Sequence, residues 1–247
     1  MRLSFETDAG IGTRATLGLI VLQTDETIEP EFARLMDIDG VALYHSRIPM
    51  QPGITSESLK SMQANLPASA ALFPSSADFD VIGYGCTSAS TVIGPQGVAD
   101  AIQSVHPNAK VADPISSIIA ACDAFDAKTI AFVTPYVAEV SARMREMIEN
   151  SGHEVVAFGS FEEGDDRVVA RIKPGDILSA VERVAAQSKC DAVVVSCTNL
   201  RTAGIVEIAE QRIGKPVISS NLALGWNMLR LAGIRAQETG KGMLFQL

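Results

Sequence analysis

Two stretches of this chain repeat one pattern, and the repeat limits what the chain can fold into. "DFDVIGYGCTSAS" (78–90) and "KCDAVVVSCTNLR" (189–201) each carry an apolar run into Cys-Thr. After each comes a helical stretch, a short strand, a serine pair and a second helix: "AKVADPISSIIAACDAFDA" in the first case, "GKPVISSNLALGWNMLRLAG" in the second. The two cysteines stand close to half the chain apart. Repeated strand–helix units of this size predict two similar α/β lobes facing each other across a cleft.

The rest of the chain fits that plan. Short β-branched runs predict strands at Leu17–Leu22, Val41–His45, Val81–Tyr84, Lys110–Ala112, Thr129–Val133, Glu154–Phe158, Ala192–Ser196 and Val217–Ile218. Most are apolar at consecutive positions, as strands covered on both faces are. Helical patterns lie between them, at Glu29–Met36, Ser56–Leu66, Gln96–Ser104, Ser116–Phe125, Val137–Asn150, Asp176–Gln187, Ala203–Arg212 and Leu222–Leu231. Helix breakers such as Pro49, Pro107, Pro135, Gly152 and Gly214 occupy the gaps. The expected fold is therefore α/β: two Rossmann-like lobes with parallel sheets, related by a pseudo-two-fold, with the active site between them. Residues 1–124 together with 217–247 are expected to form the N-terminal lobe and 125–216 the C-terminal lobe, the chain crossing back at Val217.

Composition removes several function classes. The formal charge is −9 and no block of Lys and Arg occurs, so nucleic acid is not an expected partner. No run of ~18 apolar residues suggests a membrane span. Glu6, Asp8 and Arg14 interrupt the N-terminal stretch where a signal peptide needs an apolar core, so a short leader and a cytoplasmic location are expected. The cysteines Cys86, Cys122, Cys190 and Cys197 form no CxxC pair, and His45, His106 and His153 show no metal-ligand spacing. Neither a metal nor another cofactor is expected.

The chemistry lies in the repeat. Ligands of open α/β sheets bind beyond the carboxyl ends of the strands, where Cys86 and Cys197 both stand. Each precedes a helix, whose N–H groups and dipole bind anions and are expected to depress a thiol pKa. Two thiols facing one carbon suit removal of a proton by one and its return by the other, or attack by one thiolate with proton delivery by its partner. A free cysteine is often only a small buried hydrophobe. That reading suits Cys122 and Cys190, which lack such a context, better than the matched pair.

The motifs "YGCTSAS", "VTPYVAEV", "VSCTNLRT" and "GKPVISSNLALGWNMLRLAG" resemble the aspartate/glutamate racemase superfamily. The branch is the one holding maleate cis–trans isomerases, arylmalonate decarboxylase and ectoine-utilisation racemase-like proteins. The resemblance runs from Leu17 to Leu231. It implies a cofactor-independent enzyme with Cys86 and Cys197 as catalytic thiols, commonly a homodimer or larger homo-oligomer. Retention of both thiols favours isomerisation or racemisation over decarboxylation. It further implies carboxylate-binding donors at Thr87 and Ser88, a carboxylate-holding phenol at Tyr136, and donors beside the second thiol at Thr198 and Asn199. Asn199 could equally cap the following helix. Such donors stabilise the negative charge that builds on carboxylate oxygens.

One departure bears on the substrate. Maleate isomerases resemble one another in an asparagine after the first strand, where "LQTDETIEP" places Asp25; a second asparagine falls near "EGDDRVVARI", at Asp165 and Asp166. A carboxylate repels a dianion and pairs with an ammonium. Asp25 could also cap the next helix, and the Asp165-Asp166 pair reads as a solvated loop with Arg167 and Arg171 as partners. The expected function is a two-thiol racemase or epimerase acting next to the carboxylate of a small amino-acid-like substrate. The alternatives are maleate cis–trans isomerisation by thiolate addition, and a binding protein or sensor with inert thiols.

Overall fold

The computed structural model describes residues 1–50, 55–235 and 242–247. The first half runs β1 (Ala15–Leu22), α1 (Ile28–Leu35), β2 (Val41–Ile48), α2 (Ser56–Ser61), α3 (Leu66–Ala70), β3 (Val81–Gly85), α4 (Thr87–Ile93), α5 (Pro95–Gln103), β4 (Lys110–Ala112) and α6 (Pro114–Ala124). The second half runs β5 (Thr129–Thr134), α7 (Ala138–Asn150), β6 (Glu154–Ser160), α8 (Asp166–Val169), α9 (Pro174–Ala185), β7 (Ala192–Val195), α10 (Val206–Ile213), β8 (Val217–Ser219) and α11 (Ser220–Leu231).

The strands form two four-stranded parallel sheets of identical order, β2-β1-β3-β4 and β6-β5-β7-β8. The repeat in the sequence is thus a repeat of topology: β3 and β7, the strands that lead into the two cysteines, occupy the same inner place. Val193, Val194 and Val195 are fully buried, as are Leu17, Leu19, Ile20 and Val21 in β1. Covering both faces with helices is what their unbroken apolar runs require.

Three expectations are corrected. Ser56–Leu66 is not one helix: a 3₁₀ turn at Met62–Asn65 separates α2 from α3. Pro67 near the start of α3 lacks the N–H a continuous helix needs there. The helix expected from Ala203 begins at Val206: residues 203–205 form a turn in which the Ile205 N–H donates to the Thr202 carbonyl at 2.9 Å, and the N–H groups of Thr202 and Ala203 donate to the Glu31 carboxylate. The crossing expected at Val217 occurs later. Val217, Ile218 and Ser219 pair with Val193, Val194 and Val195, so only α11 leaves the second sheet to pack on α6 and β3. Its approach to β3 is close: a Cβ at Gly83 would stand 2.6 Å from Met228 Sδ.

No described helix is long and apolar enough to cross a membrane.

Candidate active site

β3 and β7 deliver Cys86 and Cys197 to the carboxyl ends of the two sheets, and the loops that carry them touch. Thr198 Oγ1 donates to the Gly85 carbonyl at 3.3 Å, so the residue after one cysteine bonds the residue before the other. Thr87 Oγ1 lies 2.8 Å from Ser220 Oγ at the start of α11. Both thiols are buried. Cys86 caps α4, its sulfur accepting from the Ala89 N–H at 3.3 Å with Ser88 Oγ 3.5 Å away. The Cys197 sulfur accepts from the Asn199 N–H at 3.3 Å and meets the Tyr136 phenol.

Only Cys86 stands at a helix terminus, since the helix after Cys197 begins at Val206, and neither thiol has the depressed pKa expected from such a terminus. Burial pushes the Cys86 thiol up to about 12, opposed by Ser88 and the Ala89 N–H and reinforced by the charges of Asp166 and Asp25. Cys197 is raised well above 9.0 by the same burial and carboxylates. Magnitude explains the sign. A helix terminus supplies about 0.3–1 kcal/mol, under one pKa unit, and burial of a thiol outweighs that.

The two carboxylates reach the thiols from opposite sheets. Asp25 lies in the loop after β1, whose carbonyls at Leu22, Gln23 and Asp25 accept from the Arg47 guanidinium at 3.1, 3.2 and 3.1 Å. Its Oδ1 accepts from the N–H groups of Thr27 and Ile28 at 2.7 and 2.8 Å, so it does hold the start of α1. That role uses one oxygen; Oδ2 is buried without a hydrogen-bond partner. Thr198 lies near enough to draw the Asp25 pKa down slightly, yet its one hydroxyl proton is given to Gly85. Oδ2 is thus left unpaired. Burial dominates and lifts Asp25 to about 6.

Asp166 corrects the expectation of a solvated pair. Asp165 behaves as expected, half-exposed and bound to Arg167 at 2.6 Å. Asp166, at the start of α8, is turned inward and 4% exposed. Its Oδ2 accepts from Thr24 Oγ1 at 2.5 Å, and burial raises its pKa. Arg171, the other expected partner, instead pairs with Glu26 at 2.7 Å.

The remaining expected residues also gather here. Tyr136 is buried, its phenol facing Cys197 and within the field of Cys86; burial and those thiols push its pKa well above 10.0. Asn199 caps no helix: its Oδ1 accepts from the Glu26 N–H and its Nδ2 donates to the Asp166 carbonyl, both at 3.0 Å. Thus Asn199 joins the Asp25 loop of one sheet to the Asp166 turn of the other. Sequence reasoning missed Tyr84, which is fully buried beside Cys86 with its hydroxyl donating to Met62 Sδ at 3.8 Å, although it sits inside the "GYGC" motif. Among the described residues no group of three or more His, Cys, Asp and Glu could hold a metal ion.

A family model described as arylmalonate decarboxylase matches residues 80–245, from the end of the loop before β3 into the C-terminal segment. The chain belongs to the arylmalonate decarboxylase family. That places it in the aspartate/glutamate racemase branch to which its paired cysteine motifs point. Maleate isomerases match nearly the whole chain, and so do structures of arylmalonate decarboxylase. The maleate isomerase of Nocardia farcinica is 27% identical, aligned over 93% of this chain and 95% of its own. The crystal structure of a cysteine-to-alanine variant of the maleate isomerase Iso from Pseudomonas putida S16, with maleate, superposes with TM-score 0.86 at 24% identity, covering 94% of this chain and 97% of that one. A cysteine-to-serine variant of the Nocardia farcinica maleate cis–trans isomerase, carrying a covalently bound succinylcysteine intermediate, superposes with TM-score 0.82 at 24% identity, covering 94% and 98%.

Proposed function

We propose that this protein is a two-cysteine isomerase that moves a proton next to the carboxylate of a small amino-acid-like substrate. The observation that carries the proposal is the placement of two buried carboxylates, Asp25 and Asp166, in the field of both thiols. Each raises the pKa of Cys86 and of Cys197. A unit charge about 5 Å away, at an effective dielectric of about 20, is worth about 3 kcal/mol, or roughly two pKa units. A substrate ammonium set against Asp25 and Asp166 offsets that repulsion and makes a thiolate accessible. One thiolate then takes the Cα proton, the charge passes into the substrate carboxylate, and the other thiol returns a proton to the opposite face. Tyr136, Ser88, and the Thr87, Thr198 and Asn199 loops are the donors assigned to that carboxylate.

The second reading is maleate cis–trans isomerisation through thiolate addition by Cys86. It draws on the relatives of matching length and on the raised pKa of Asp25, since a protonated carboxyl donates a hydrogen bond as an asparagine does. The two readings predict opposite pH behaviour. Ammonium binding needs ionised Asp25 and grows as pH rises through about 6; a dianion needs the acid form and is lost over the same range.

The test is incubation in D₂O with a panel of amino acids and, separately, with maleate. Deuterium appearing at Cα supports the proposal. Fumarate formed from maleate, with no amino acid exchanging, overturns it in favour of the second reading.

Three further points belong to this proposal. The described chain divides into a lobe of residues 1–50, 55–124 and 220–235 and a lobe of 125–219, a reading supported by the pairing of β8 with β7. It forms a homodimer or larger homo-oligomer, measurable by light scattering. It works in the cytoplasm.

A further inference from the structure

One buried acid takes no part in the chemistry above. Glu31 projects from α1 and is 8% exposed, and its carboxylate collects four donors. Oε1 accepts from the backbone N–H groups of Thr202 and Ala203 at 2.7 and 2.8 Å. Oε2 accepts from Asn221 Nδ2 at 2.8 Å and from Thr202 Oγ1 at 3.4 Å. An acid this buried carries a desolvation cost, and the Glu31 pKa is raised despite its donors.

The donors come from the two segments that frame the thiols. Thr202 and Ala203 end the loop that begins at Cys197. Asn221 stands in the first turn of α11, next to the Ser220 that bonds Thr87. Asn221 Nδ2 also donates to the Thr198 carbonyl at 2.8 Å, and Thr198 reaches back to Gly85. The bonds close a circuit: Glu31 to Thr202, along the chain to Thr198, across to Gly85, through Cys86 to Thr87, then to Ser220, Asn221 and Glu31. Cys86 lies on it, and Cys197 adjoins it at Thr198.

We propose that Glu31 and Asn221 are positioning residues that set the Cys197 loop against Cys86. Neither side chain bonds a thiol. Glu31 anchors the far end of the Cys197 loop and Asn221 its near end, so together they fix where Cys197 Sγ stands while Cys86 keeps its own cap on α4. The inference rests on the reading of the two thiols as the reacting groups, and it concerns geometry rather than substrate.

Glu31→Gln is the informative change: it preserves shape but replaces one acceptor oxygen with a donor, which faces Asn221 Nδ2 or the two backbone N–H groups. Asn221→Ser is the second variant, used if Glu31→Gln fails to fold. Two readouts on the full chain separate the possibilities. The rates at which iodoacetamide modifies Cys86 and Cys197, resolved by peptide mass spectrometry, report the position of each loop. Expected is acceleration of about tenfold at Cys197 with Cys86 little changed, the signature of local opening on one side of the circuit. For whichever substrate turns over, kcat should fall by up to ~10²-fold with KM nearly constant, as misplacement of a reacting group does. The double variant should lose no more than the worse single one, because the two residues act as a unit.

Unchanged modification rates at Cys197 overturn the inference. So do equal changes at both cysteines in step with the fall in Tm, because that marks a merely structural role. If the wild-type chain turns over no tested substrate, the functional reading fails, but the ratio of modification rates still decides this one.

Discussion

Replacing Asp25 with asparagine tests the electrostatics of the site without requiring a substrate. The carboxyl of Asp25 rises from 3.8 to about 6 on folding, chiefly through burial. A raised carboxyl pKa means that the folded protein binds more protons than the unfolded chain between those values. Stability therefore falls as pH rises from 3.8 towards 6, and the loss persists at higher pH. The size is on the order of 3 kcal/mol, from about 1.4 kcal/mol per pKa unit. The substituted amide would keep an oxygen for the Thr27 and Ile28 N–H groups, so the hold on α1 survives, and it carries no charge to desolvate. Urea denaturation of wild type and Asp25→Asn at pH 4 and pH 8 measures the effect. The two should be nearly equal at pH 4, and the variant should be more stable at pH 8 by ~1–3 kcal/mol, or roughly 3–10 °C in Tm for a chain of this length. A difference in stability that does not change between pH 4 and pH 8 would refute the reasoning, because the destabilisation would then not come from ionisation of Asp25.

Cys86→Ser and Cys197→Ser should each lower turnover by ~10²–10⁴-fold, measured as Cα deuterium exchange, because each thiol holds or returns a proton that serine at its ordinary pKa does not. Tyr136→Phe removes a phenol facing Cys197 and should cost roughly 10²–10³ in kcat, with the fold intact by circular dichroism. Asp166→Asn removes a carboxylate that raises both thiols, so in the free variant Cys197 should react with iodoacetamide faster than in wild type at pH 8.

The parts of the site written into periodic sequence were legible, and the parts that depend on which way a side chain turns were not. The strands, the helix–strand alternation and the Cys86–Cys197 pairing follow from apolar runs and from a motif used twice. Asp165 and Asp166 read alike beside Arg167, yet the turn before α8 sends one to solvent and the other under Thr24. Nothing in "EGDDRVV" selects between them. Thr87 and Asn199 stand at positions that suit substrate donors, but their side chains bond across the sheets to Ser220, Glu26 and Asp166. Such partners lie far along the chain and leave no local pattern. The loop before α10 is held in the same way, its Thr202 and Ala203 N–H groups donating to Glu31, an acid more than a hundred residues earlier.

The sign of the thiol shift is the consequence that only three-dimensional placement supplies, and it converts the choice of substrate into a measurable charge effect. Sequence places a helix start after each cysteine and so suggests thiolates waiting for substrate; burial and the two carboxylates raise both thiols instead. An α-methyl amino acid has an ammonium and a carboxylate but no Cα proton to lose, so it binds without turnover. Bound against Asp25 and Asp166, its ammonium should lower the apparent pKa at which ultraviolet thiolate absorbance appears by roughly one to two units. Succinate, a dianion of similar length, should leave it unchanged or raise it. The reverse ranking, with succinate lowering the thiol pKa and the amino acid without effect, would place the carboxylates in their protonated form in the complex and give the site to a dicarboxylate.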